Sequence, residues 1–270
     1  LLSVEFDMAE ILGQETAKRA MEIAAAGGHN ILLTGSPGAG KTMLARALPG
    51  VLPLLSEEES LEVSKAYSVA GYIPPGGSLI RVRPFRSPHH TISQIGLCGG
   101  GTKPQPGEIT LAHRGVLFLD EFNEFPRSVL EALRQPVEDG RITISRSRGR
   151  VTYPSRFMLV ASANPCPCGF LNHPKKACNC TPREIQKYHK RVSGPIIDRI
   201  DLHVDTPDVD VHELSQDASA GKFLESSAVI QSRVTEARNI QEKRFASLRE
   251  VSRRETKDAI HTNTEMKNAH

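Results

Sequence analysis

Gly35-Ser36-Pro37-Gly38-Ala39-Gly40-Lys41-Thr42 follows the short apolar run Asn30–Thr34 and opens into Lys41–Leu48, a stretch of helix-forming composition. An apolar run of that length reads as a buried parallel strand, so the order is strand, glycine-rich loop, helix. Glycines let backbone amides close around an anion, and the start of a helix adds its dipole. The spacing is that of a phosphate-binding loop, with Lys41 set to reach terminal phosphates and Thr42 to hold magnesium. Gly35, Ser36, Pro37, Gly38, Ala39, Gly40, Lys41, Thr42 and Met43 are therefore the expected contacts of ATP and Mg2+.

A second half-site follows Gly115, where Val116–Leu119 delivers Asp120 and Glu121 to the end of an apolar run. Asp120 is expected on magnesium, and Glu121 as the group that polarises the attacking water. An acidic pair after a strand can also serve as simple capping, but its place after a phosphate loop favours hydrolysis. Asn164 follows the run Phe157–Ala161 through Ser162-Ala163, which by analogy of fold sets its amide beside the γ-phosphate if this strand lies between the other two; a plain turn asparagine is the alternative. Arg199, behind the turn Gly194–Ile197, is a candidate to reach the γ-phosphate of a neighbouring subunit; the alternative is local pairing with Asp198 or Asp201.

Around these segments the sequence predicts helices over Glu15–Ala26, Ser56–Ser68, Pro126–Arg134, Pro182–Val192 and Ser227–Leu248. Pro136 and the turn Glu138–Gly140 are expected to stop the third of these. Tyr72–His90 is rich in proline and glycine and reads as loop, with Ser78–Val82 a short strand inside it. Arg141–Ser145 and Arg150–Tyr153 flank a polar turn and read as a β-hairpin; Asp201–Thr206 reads as a further strand.

The 270 residues are 39% hydrophobic and 24% charged, enough for one large domain with a small appendage. No apolar run is long enough to cross a bilayer, and Leu1–Asp7 lacks the layout of a secretion signal, so a cytoplasmic protein without a membrane partner is expected. The net charge of +3 is mild, but arginines cluster: Arg81, Arg83 and Arg86 in one stretch, Arg141, Arg146, Arg148 and Arg150 in another. Alternating at a hairpin tip, Arg146, Arg148 and Arg150 suit phosphate contacts that track a nucleic-acid backbone; a solvated turn or a subunit interface is the alternative. His89 and His90 have no metal-site spacing around them.

Four of the five cysteines form the pairs Cys166-Pro-Cys168 and Cys178-Asn-Cys180. Four thiolates suit a structural zinc ion, although one residue within each pair is tighter than usual. Ordinary reduced cysteines and redox pairing are the other readings. His173 is a reserve ligand, and Cys98 reads as a small buried side chain.

Taken together, Gly13-Gln14, GSPGAGKT (35–42), PFRSPHHT (84–91), GVLFLDE (115–121), QPVEDGRITISR (135–146), SANPCPCG (162–169) and SGPIIDRIDLHV (193–204) closely resemble one family. It is the AAA+ module of the bacterial magnesium chelatase-like proteins, which include a competence-associated DNA branch-migration helicase. The resemblance spans about residues 5–248. It implies an α/β P-loop NTPase fold, a three-layer αβα sandwich with a parallel sheet, an insertion in the second helix and a β-hairpin before the first sensor. Lys41 and Thr42 take the Walker A role, Asp120 and Glu121 the Walker B role, Asn164 the first sensor and Arg199 the arginine finger. Residues 1–206 are then the ATPase core, with 165–181 a zinc-binding insertion, and 207–270 the start of a C-terminal helical lid that stops before the second-sensor arginine. Weak turnover is expected of such a piece.

The same resemblance implies a homo-oligomer, a hexameric ring at full length, that uses ATP to remodel single-stranded or branched DNA. The alternatives are a magnesium chelatase-type motor subunit and a nucleotide-gated protein remodeller.

Overall fold

The computed structural model describes residues 5–246, apart from 75, 102–104, 147–148 and 209–223. The chain enters through α1 (Glu15–Gly27), stopped by Gly28 at φ +70°, where a left-handed residue caps the helix. β1 (Ile31–Thr34) and α2 (Lys41–Val51) bracket the glycine loop, and α3 (Glu57–Val69) starts at a capping box between Ser56 and Glu59. Next come β2 (Phe85–Arg86), α4 (Gln94–Cys98), the small antiparallel pair β3 (Gly99–Gly100) and β4 (Gln105–Pro106), and α5 (Glu108–Leu111). β5 (Val116–Leu119) leads to α6 (Arg127–Glu131) and α7 (Arg134–Asp139), then to the hairpin of β6 (Arg141–Arg146) and β7 (Gly149–Pro154). β8 (Met158–Ala163), α8 (Pro182–His189), α9 (Gly194–Ile197) and β9 (Leu202–Asp205) follow, and residues 227–246 form the last helix among the described residues.

The main sheet has the order β2-β5-β8-β1-β9, and every pairing in it is parallel. A parallel sheet must be covered on both faces, and strand alternation shows how. Ile31, Leu33, Val116, Phe118 and Val160 point to one face, packed under α1 and α2. Leu32, Leu117, Leu119, Leu159 and Ala161 point to the other, under residues 122–133 and 192–200. This is the three-layer α/β/α sandwich of an AAA+ P-loop NTPase. Phe118 is fully buried, and its truncation to alanine costs about 3–5 kcal/mol.

Several local expectations are corrected. Ser78–Val82 is not a strand: Ile80 spends its backbone groups on the hydroxyls of Ser60 and Ser64 of α3. The strand that joins the sheet from this segment is Phe85–Arg86, at the edge beside β5. Pro136 does not stop a helix; it lies in the first turn of α7, where no intrahelical N–H is required, and Gly140 at φ +63° ends that helix instead. The predicted helix Pro126–Arg134 is broken near Ala132-Leu133, and α8 stops at His189 instead of Val192.

Arg83 is buried and Arg86 half-buried, each held by a carboxylate. Arg83 is buried against Glu59 and the carbonyls of Pro53 and Arg114. Arg86 grips Glu108 through two bonds of 2.6 and 2.7 Å. The last helix docks on α1 through Ile230 and Val234, which join the first core cluster, and through Arg233, which pairs with Glu22 at 2.7 Å. Cys98 is half-buried, and burial pushes its thiol up to about 11.

Candidate functional site

Strand register builds the site. Thr34 lies beside Ala163, and Leu119 beside Ala161, so the next residues bring Gly35 next to Asn164 and Asp120 next to Ser162. β8 does lie between β5 and β1, the condition on which the placement of Asn164 depended. Gly35 N donates to Ala163 O at 3.2 Å, sealing the crevice where parallel strands end.

The loop then turns through Gly38 at φ +91° and Gly40 at φ +83°, conformations that favour glycine. Gly40 starts α2 without a side-chain cap, which leaves the helix's first amides for an incoming anion. Gly35 is required sterically: a Cβ there would lie 2.2 Å from the Thr206 carbonyl oxygen. Gln14 supports the loop from behind, its Nε2 donating to Ala39 O at 3.0 Å and Pro207 O at 2.6 Å.

Lys41 is buried, and its Nζ donates to Gly35 O at 2.6 Å, Ser36 O at 2.8 Å and Asn164 Oδ1 at 3.3 Å. Burial pulls its pKa down, while Asp120 and Asp208 act in the opposite direction. Thr42 Oγ1 donates to Asp120 Oδ2 at 3.0 Å, and Ser162 Oγ donates to the other oxygen of Asp120. Glu121 N is shared between Asp120 Oδ1 at 3.1 Å and Ser162 Oγ at 3.3 Å. Glu121 itself sits at φ +53°, a left-handed turn that costs a non-glycine residue about 1–2 kcal/mol. That turn leaves its carboxylate exposed, 3.2 Å from Nδ1 of His90.

Lys41, Thr42, Asp120, Glu121 and Asn164 thus come together at one edge of the sheet. Met43 shares the first turn of α2 with its side chain exposed. Arg199 does not join this group within its own chain: its guanidinium rests on Glu138 of α7 and on Pro195 O, and its Nε is buried without a hydrogen-bond partner. Asp201, offered as a local partner for Arg199, instead accepts from Asn30 N at 2.8 Å. On the hairpin, Arg150 is exposed, whereas Arg148 and the side chain of Arg146 lie outside the described residues.

Sequence reasoning assigned no role to Ser162, Gln14 or Asp208, nor a contact of His90 with Glu121. Ser162 was findable: it stands two residues before Asn164 at a strand end, where the register to Asp120 fixes its neighbour.

The cysteine pairs converge. Cys166 Sγ lies 3.4 Å from Cys168 Sγ and 3.7 Å from Cys178 Sγ, and Cys168 and Cys178 are 3.6 Å apart. With Cys180, all four sulfurs lie within 4.8 Å of one another. Those separations exceed a disulfide bond of about 2.05 Å and approach the edge of about 3.8 Å of a tetrahedron with Zn–S near 2.3 Å. The donor set therefore fits a closed metal site. Backbone amides of Phe170 and Asn179 hold the Cys168 thiol down, to about 6. His173 is not a reserve ligand; it faces Asp208.

Fold and site together define a P-loop ATPase module of the AAA+ class. The chain belongs to the family described as magnesium chelatase, subunit ChlI, whose sequence pattern matches residues 7–214. It is 49% identical over 244 residues to the uncharacterized protein YifB of Salmonella typhimurium, covering 90% of this chain and 47% of that one. It is 46% identical to the competence protein ComM of Haemophilus influenzae, covering 90% and 46%, so the chain spans about half the length of these curated relatives. The magnesium-chelatase 38 kDa subunit of Rhodobacter capsulatus is 26% identical over 59% of this chain and 50% of its own. Among solved structures, the complex between magnesium chelatase subunits BchI and BchD aligns with a TM-score of 0.56 at 21% identity, covering 92% of this chain and 76% of that one. Among the described residues, no helix is long and apolar enough to cross a membrane.

Proposed function

We propose that this chain is the ATP-hydrolysing motor module of a cytoplasmic, ring-forming protein of the magnesium chelatase type. The observation that carries the proposal is the convergence of Lys41, Thr42, Asp120, Glu121 and Asn164 where three neighbouring parallel strands end. The backbone N–H groups of residues 38–41 cradle the phosphates, and Lys41 exchanges its carbonyl partners for terminal phosphate oxygens. Thr42 and Asp120, already hydrogen-bonded to each other, are the ligands for Mg2+, which when bound neutralises phosphate charge and makes phosphorus more electrophilic. Glu121 orients the attacking water and accepts its proton, and the Asn164 amide positions that water or registers loss of the γ-phosphate.

Arg199 completes the site of a neighbouring subunit in a hexamer, exchanging Glu138 for the transition-state charge. On this reading residues 1–206 are the ATPase core and 207–270 the start of the lid; of the latter, 209–223 and 247–270 lie outside the described residues, and the helix at 227–246 rests on α1.

For what the motor drives, the family and the 38 kDa chelatase subunit support work on a chelatase-type partner. A DNA substrate keeps the support of the competence-protein relative and of Arg150, exposed on the hairpin. ATPase assays of the full-length protein with a large chelatase partner, single-stranded and forked DNA, or unfolded protein separate the readings by which one stimulates turnover. Lys41→Ala is expected to lower turnover about 10²–10³-fold. Turnover equal to wild type in that variant defeats the ATPase assignment.

A further inference from the structure

We infer that the four-thiolate cluster holds a zinc ion that braces the phosphate loop, so that zinc occupancy sets the affinity of the neighbouring crevice for nucleotide. The inference rests on the nucleotide reading above and adds a second site that controls it.

Both ends of the cysteine loop are fixed at the crevice. Cys166 is two residues beyond Asn164, whose Oδ1 touches Lys41 Nζ at 3.3 Å. Cys180 is followed by Thr181, the cap of α8. α8 in turn is tied back to the site: Tyr188 O accepts from Asn123 Nδ2 at 3.2 Å, two residues past Glu121, and His189 Nε2 meets Pro165 O at 2.9 Å. A metal joining Cys166 and Cys168 to Cys178 and Cys180 therefore closes a loop that begins at the Lys41 contact and ends in the helix behind Glu121.

The body of the loop meets the phosphate loop directly at one point and through Asp208 at a second. Gly169, at φ +83°, packs so closely that a Cβ would lie 2.5 Å from Cδ of Pro37. His173 makes the second contact. Its side chain is 5% exposed, and its Nδ1 accepts from the amides of Lys175 and Lys176 at 3.0 Å each. The proton must then sit on Nε2, which faces the Asp208 carboxylate, and Asp208 accepts from the hydroxyl of Ser36. Between these contacts is a cavity of about 270 Å³ lined by Gly35, Ser36, Gly169, His173 and Asp208.

Besides the contacts of Gly169, Phe170 and His173, the converging sulfurs tie the two ends of this segment together. Residues 174–177 are exposed, and of residues 166–180 only Cys166 and Gly169 are buried. A segment with so little apolar burial takes its order from a cross-link, and thiolate–zinc bonds supply folding free energy directly. Loss of the metal would release Gly169 from Pro37 and His173 from the Asp208–Ser36 relay, and the phosphate loop would lose one of its walls.

The test uses the full-length protein, zinc analysis by mass spectrometry, and titration with a fluorescent ADP. One zinc per chain is expected. Stripping it should weaken ADP binding about tenfold, with recovery when zinc is returned. His173→Ala should retain zinc yet bind ADP several-fold more weakly. Absence of stoichiometric zinc overturns the inference, as does unchanged ADP affinity in stripped protein of intact circular dichroism. Should stripping unfold the protein, His173→Ala decides: weaker ADP binding upholds the brace, and wild-type affinity with full zinc overturns it. A zinc-replete wild type that binds no ADP brings down the nucleotide reading itself, whereas the other contrary results remove only the brace.

Discussion

The two ends of the central sheet both bury cations, and they treat them differently. At the amino ends of β5 and β8, a cavity of about 420 Å³ is lined by Arg83, Arg114 and Arg238 together with Glu59. There Arg83 meets Glu59 at 3.0 Å, and Arg114 meets Glu62 at 2.8 Å and Glu59 at 3.4 Å. At the carboxyl ends, Lys41 is as buried as Arg83 but donates only to neutral oxygens. The acids near it are engaged by hydroxyls: Asp120 by Thr42 and Ser162, Asp208 by Ser36. Arg83, matched by a carboxylate, is here part of the fold, whereas Lys41, resting on carbonyl groups, keeps its charge for a ligand.

The sharpest way to break that comparison is to truncate both cations. Arg83→Ala leaves Glu59 only the longer contact with Arg114 and strips the carbonyls of Pro53 and Arg114 of their donor, and is expected to cost about 3 kcal/mol in chemical denaturation. Lys41→Ala removes a desolvated charge and is expected to change stability by less than about 1 kcal/mol. Equal losses in the two variants would show that Lys41 is a structural cation as well.

Gly35→Ala tests the closeness of the crevice, because the new methyl would have to push aside the backbone of Thr206. A loss of about 1–3 kcal/mol and weaker nucleotide binding are expected. Ser162→Ala removes the hydroxyl shared by Asp120 and the Glu121 amide. It should lower kcat about tenfold, with KM nearly unchanged. An effect on KM alone would mean that Ser162 binds substrate and does not position the carboxylates.

The smallest effect lies far from the crevice. Arg233 holds the Glu22 carboxyl below its ordinary value of 4.5, and Glu225 is lowered by the same guanidinium. A depressed carboxylate stabilises the fold fully above its unfolded pKa and loses that contribution as pH falls through the folded value. The melting temperatures of wild type and Arg233→Ala should therefore differ by the equivalent of about 1 kcal/mol near neutrality and converge in acid. A gap that widens in acid would contradict the assignment.

The contrast also explains what the sequence could and could not disclose. The phosphate loop and the Val116–Glu121 run were legible because their residues act through adjacent backbone, so spacing alone carries the chemistry. The β-hairpin was legible from its two strand-like runs about a polar turn, whereas the placement of Asn164 depended on the order of the strands, which spacing does not carry. Arg83 and Arg86 were not, since a buried arginine looks the same in sequence as a solvated one until Glu59 and Glu108 are brought to it. Ser78–Val82 has strand-like composition but gives its backbone bonds to serines of α3, a tertiary choice that local propensity does not reveal. The contact from His173 through Asp208 to Ser36 joins three distant segments and left no mark in any one of them.

The most direct test of the crevice is calorimetric titration of the protein with ADP and Mg2+, comparing wild type with Lys41→Ala. One nucleotide per chain, with binding abolished by the substitution, is the predicted result. Undiminished binding by Lys41→Ala would place the nucleotide elsewhere and contradict the account.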